Sequence, residues 1–148
     1  MDIVRIERGF IDAASRDQNN GGCGFFAREA YNLFLNLGED AAIIVCSDQD
    51  EDGYLKDLQY SMDNDDINDL VPNHVAVVVR EILFDATGAA LDGSSFWFER
   101  SKIEITLEQL EHLLTLSEWC NLYDLSYNDT LRNNFIKLRD ELLSEMAA

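Results

Sequence analysis

The chain has 148 residues, 47% of them apolar and 10% aromatic, enough for one domain spanning 1–148 with a real hydrophobic core, and this excludes disorder except locally. Its 29 acidic against 11 basic residues give a formal net charge of -18, which excludes nonspecific attraction to nucleic acid or to an anionic membrane, since both demand positive potential. Three cysteines, Cys23, Cys46 and Cys120, are too few and too scattered for a disulfide framework or a zinc motif; with no secretory signal and no apolar run near ~18 residues, a cytoplasmic protein is expected.

The stretch Asn19-Asn20-Gly21-Gly22-Cys23-Gly24-Phe25-Phe26 sets a thiol among glycines just before an apolar stripe. Phe26, Ala27, Ala30, Leu33, Phe34 and Leu37 recur at steps of three and four, which predicts a core-facing helix over 24–37 with Gly38 as its stop. A thiol used only as packing has no need of flexible backbone on both sides. A nucleophilic thiolate gains from a helix N-terminus and from close approach of substrate.

Ala41 to Cys46 reads as a buried strand, and 47–69 as an acidic loop or insertion. Within that loop Asp48, Asp50 and Asp52 with Gly53 match the first half of a calcium loop, but Gln59 stands where a bidentate Glu is required and a strand precedes instead of a helix. A solvated loop is therefore the expectation, with no metal and no cofactor. His74 to Val79 and Ile82 to Ala86 form two strands joined at Arg80-Glu81 and ended by Thr87-Gly88, and Phe96 to Ile105 forms a third. Thr106 and Gln109 make a capping box for a helix carrying Leu107, Leu110, Leu113 and Leu114. Asp129 or Thr130 caps a last helix bearing Leu131, Phe135, Leu138 and Leu142. The order of elements is that of an α+β domain.

A thiol nucleophile needs a base for its proton, and the base needs a partner that fixes its tautomer. Of the two histidines, His112 lies on a helix among leucines and reads as a surface residue, whereas His74 opens a strand. A two-residue turn at Arg80-Glu81 sets His74 opposite Thr87, with Asp85 its diagonal neighbour on the same sheet face; a three-residue loop would move Asp85 to the other face. An aspartate inside Ile-Leu-Phe-Asp-Ala-Thr is costly unless paired, and His74 is the partner at hand. The other reading has Asp85 starting the turn before Gly88, in water. Cys46 and Cys120 read as core.

Gly22-Cys23-Gly24-Phe25-Phe26-Ala27 opening a helix, followed by His74-Val75-Ala76-Val77-Val78 and then Phe84-Asp85-Ala86-Thr87-Gly88, resembles the papain-like cysteine peptidase superfamily, in particular its small transglutaminase-like and NlpC-like members. The resemblance covers roughly residues 19–88. It implies a Cys-bearing helix packed on a small antiparallel sheet, with Cys23 as nucleophile, His74 as base and Asp85 as orienter. For the oxyanion it implies a Gln or amide donor shortly before the cysteine, for which Gln18, Asn19 and Asn20 are the candidates, Gln18 first because it reaches furthest.

The function expected on these grounds is a thiol hydrolase or acyltransferase acting on an amide, ester or isopeptide bond. Its partner would be a peptide or small acyl substrate, or a basic protein. The competing expectation is a noncatalytic acidic binding or inhibitor protein, a nucleic-acid mimic or immunity-type partner, on the same scaffold.

Overall fold

The computed structural model describes residues 2–14, 23–47, 74–85, 88–91, 101–115 and 125–147. Its first element is a helix to which the sequence reading assigned nothing, α1 (Ile3–Ala13). Asp2 caps it by accepting the Arg5 backbone N–H at 3.0 Å, and Ile6 and Phe10 turn inward while Val4 and Ile11 remain exposed. The Cys-bearing helix α2 (Cys23–Asn36) follows. It ends as expected at Gly38, whose φ of 78° lets Glu39 N–H reach back to the Phe34 carbonyl at 3.0 Å and Gly38 N–H to that of Leu35.

β1 (Ala42–Ser47), β2 (His74–Val79), β3 (Ile82–Asp85), β4 (Gly88–Leu91) and β5 (Ser101–Ile105) form an antiparallel sheet in the order β4-β3-β2-β1-β5. β4 was not expected, because Gly-Ala-Ala-Leu lacks the β-branched residues that mark a strand; the chain does not end its pairing at Gly88 but resumes it there, with Gly88 opposite Asp85. β5 lies within the run expected from Phe96, whose earlier part falls outside the described residues. The acidic stretch beyond Ser47, including Asp48, Asp50 and Asp52, lies outside them as well, as does Cys120.

α3 (Leu107–Leu113) starts on the expected capping box: Gln109 N–H donates to Thr106 Oγ1 at 3.1 Å and Thr106 N–H to Gln109 Oε1 at 2.9 Å. α4 (Leu125–Ala147) begins four residues before Asp129, so neither Asp129 nor Thr130 is its cap. Its inward stripe is the expected one: Leu131, Phe135, Leu138 and Leu142 are all buried. Among the described residues no helix is long and apolar enough to cross a membrane.

The core gathers around Phe10. Its ring lies 5.3–5.6 Å from those of Phe26, Phe34, Phe84 and Phe135, three of the four contacts edge-on, so one residue of α1 packs α2, β3 and α4 at once. Polar ties fix the helices: Arg5 bonds Glu145 at 3.1 Å and Glu141 at 3.4 Å, and the buried Glu29 of α2 accepts from Arg28 at 3.0 Å and from Arg132 of α4 at 3.2 Å. At Gly9 a β-carbon would stand 2.5 Å from Leu138 Cδ1, which is why the crossing of α1 over α4 carries a glycine.

The β2–β3 hairpin turns in two residues, Arg80 (φ 52°) and Glu81 (φ 65°), both left-handed, as the favoured two-residue hairpin turn demands. Neither residue suits that conformation. The bidentate Arg80–Glu39 pair, at 2.8 and 3.0 Å, anchors the turn to the exit of α2. Glu81→Gly is therefore expected to raise unfolding stability by about 0.5–1 kcal/mol, the relief of left-handed strain outweighing the added freedom of the unfolded chain. Urea denaturation measures this, and an unchanged or lowered midpoint would contradict it.

Candidate active site

The tight hairpin sets the register Val77–Phe84, Val78–Leu83 and Val79–Ile82. Alternation along the strands then places His74 and Ala76 on one face with Leu83 and Asp85, while Val75, Val77 and Phe84 enter the main core. The diagonal approach expected of His74 and Asp85 is realised: Nε2 of His74 lies 3.0 Å from Oδ2 of Asp85. Asp85 does not start a turn in water; it is 6% exposed and His74 2%.

Cys23 is the first residue of α2, half-buried, at the positive end of the helix dipole. Its thiol interacts with the His74 imidazole closely enough to favour the charged ring. With Nε2 committed to Asp85, Nδ1 is the ring nitrogen left to serve the thiol. Three side chains from a helix start, a strand start and the end of the next strand thus form one chain, Cys23–His74–Asp85. His112 is exposed on α3 and takes no part.

Burial is the largest single influence on the His74 imidazole and opposes its charge, but its hydrogen bond to Asp85, with the interactions of Cys23 and of the Asp85 charge, outweighs it and raises its pKa from 6.5 to about 9. The imidazole is therefore a cation at neutral pH. Both ring nitrogens carry protons in that form, and Nε2–H donates to the Asp85 carboxylate.

Gln18, Asn19 and Asn20, the expected oxyanion donors, lie outside the described residues. Sequence reasoning did not single out Glu29, on α2, the other buried carboxylate among the described residues; an acidic residue among the inward positions of an otherwise apolar stripe was its only signal, and its two arginine partners give it a structural role tying α2 to α4. No protein-family profile, characterised relative or solved structure matches the chain, so the site is read from its own geometry.

The raised pKa makes folding stability depend on pH. Between about 6.5 and about 9 the native protein holds a proton on His74 that the unfolded chain has released, so this contribution is complete below 6.5, declines as pH rises, and is gone above 9. The melting temperature of the wild type is expected to fall across this window more steeply than that of Asp85→Asn, which removes the charged partner. Parallel pH profiles for the two proteins would show that the pair does not hold the proton.

Proposed function

We propose that the protein is a papain-like thiol hydrolase or acyltransferase that attacks an amide, ester or isopeptide carbonyl. The observation that carries this is the buried His74–Asp85 hydrogen bond with the Cys23 thiol, at a helix start, interacting with the same imidazole. A sheet covered by the Cys-bearing helix, in the order helix-borne Cys, strand-borne His and next-strand Asp, supports the papain-like architecture within the same reading.

In this mechanism the Cys23 thiolate adds to the carbonyl carbon, whose π electrons move onto oxygen. The resulting oxyanion sits at the start of α2, where the Cys23 backbone N–H is among those without an intrahelical acceptor. Gln18 is the candidate second donor. Collapse of the intermediate breaks the bond to the leaving amine or alkoxide, which takes the proton from His74 Nδ1 and departs, leaving a thioester on Cys23. Neutral His74 then removes a proton from water or from an acceptor amine as it attacks the thioester, and the thiolate leaves beside the restored imidazolium. Asp85 keeps Nε2–H bound throughout, so that Nδ1 always faces the sulfur. The charge of -18 favours a neutral or cationic substrate over an anionic one.

Native Cys23 is expected to react with iodoacetamide at pH 7 well above the rate of the cysteines in the unfolded chain. His74→Ala slows that reaction and lowers turnover of an activated ester about 100-fold or more. Cys23→Ala abolishes turnover while changing stability by less than about 1 kcal/mol, and Asp85→Ala leaves a weak residual activity. Labelling of native Cys23 no faster than in the unfolded chain, with no ester turnover, would favour an acidic binding protein on the same scaffold. A loss of ~2–5 kcal/mol in Cys23→Ala would make the thiol packing material instead.

A further inference from the structure

The end of α2 remote from Cys23 borders a cavity that the chemistry at His74 does not use. It measures about 320 Å³ and lies where the start of α1 meets the exit of α2 and the end of α4; the 14 residues of α2 set it ~20 Å from Cys23. Its apolar lining is Ile6, Leu37 and Leu142 with Met146, which is 65% exposed. A methionine left in water beside an apolar hollow is the adaptable kind of side chain found at binding surfaces. The charged lining sets Asp2, Glu39 and Glu145 against Arg5. Glu145 is engaged by Arg5, and Glu39 by Arg80, each through both carboxylate oxygens. Asp2 accepts the Arg5 backbone N–H on Oδ1 only, and its Oδ2 has no partner among the described residues. Even with Arg80 counted, carboxylates outnumber guanidiniums around the cavity.

We propose that this cavity is a docking site for a lysine side chain presented by a polypeptide partner, its methylenes lying on Ile6, Leu37 and Leu142 and its ammonium reaching Asp2 Oδ2. An apolar floor beside a carboxylate oxygen with no other partner matches a four-carbon stem that ends in a point cation. An arginine fits less well, because its planar fork asks for two acceptor oxygens and Asp2 has one to offer. An apolar anion would find the same floor but is opposed by the three carboxylates around it and by the net charge of -18, the same field that draws a basic partner in from a distance. The site stands apart from Cys23 and His74, and its occupancy does not depend on the reaction proposed for them.

The test follows the methyl resonance of Met146 in the full chain, labelled with 13C at methionine and assigned through Met146→Leu, at pH 7. Two matched pairs of probes are titrated: hexylammonium against hexanoate, and the blocked dipeptide acetyl-Leu-Lys-amide against acetyl-Leu-Glu-amide. Both cationic probes are expected to shift the resonance saturably, and the anionic member of each pair to bind at least ~10-fold more weakly. Asp2→Asn keeps an oxygen to cap α1 and removes the charge, and it is expected to weaken both cationic probes about 3–10-fold while the alkylation rate of Cys23 stays that of the wild type. No saturable shift with either cation, equal binding of hexanoate and hexylammonium, or undiminished binding in Asp2→Asn overturns the site. A shift with hexylammonium and none with the lysine dipeptide overturns the polypeptide partner, the cavity then serving a free alkylammonium ion.

Discussion

The hydrogen bond between His74 Nε2 and Asp85 Oδ2, 3.0 Å long and sealed from water, is the contact on which the rest of the site depends. Neither partner could be buried alone: an isolated carboxylate in a strand pays its full desolvation cost, and an isolated imidazole loses its proton. Together they hold a positive ring against a carboxylate, with the Cys23 sulfur favouring the same charge. Such a pair adds little net stability over apolar side chains of the same volume. Its retention in the interior points to a chemical use, and the thiol at the helix start is the group it can serve.

The scaffold explains why that contact forms. Two left-handed residues at Arg80 and Glu81 hold the hairpin to a two-residue turn, and one residue more would send Asp85 to the opposite face. The Arg80–Glu39 pair links this turn to the glycine-terminated end of α2, so that the same helix that presents Cys23 at its start is fastened to the hairpin at its finish. Phe10 and the four rings around it, with Glu29 between Arg28 and Arg132, clamp α2 between α1, α4 and the sheet. The position of the sulfur against the imidazole is in this way fixed at both ends of the helix.

Much of this was legible in the sequence because it rested on periodicity and capping. The stripe of α2, the Gly38 stop, the Thr106–Gln109 box and the hairpin register all follow from residue types at short spacing, and the register led from His74 to Asp85. What escaped depended on tertiary packing. α1 turns Ile3, Ile6, Gly9, Phe10 and Ala13 inward among charged neighbours, a stripe with few large apolar residues that does not stand out until the other helices are seen to cover it. β4 lacks β-branched residues and exists because β3 offers it an edge to pair with. The start of α4 lies before Asp129, in residues such as Ser126 and Asn128 whose weak helix preference gives no local sign of it. The pairing of β1 with β2 was implicit in two strands that no local pattern sets side by side, since a long acidic segment separates them.

The central claim is that Cys23, His74 and Asp85 act as one electrostatic unit in which the imidazole is charged at neutral pH. Nitrogen NMR of the 15N-labelled histidines reads this directly, with exposed His112 as the internal reference. The account predicts that His74 carries protons on both ring nitrogens at pH 7, titrates near 9, and falls back toward lower pH in Cys23→Ala and in Asp85→Asn. A His74 ring found as a neutral tautomer at pH 7, titrating at or below the ordinary value of about 6.5 and indifferent to both substitutions, would contradict it.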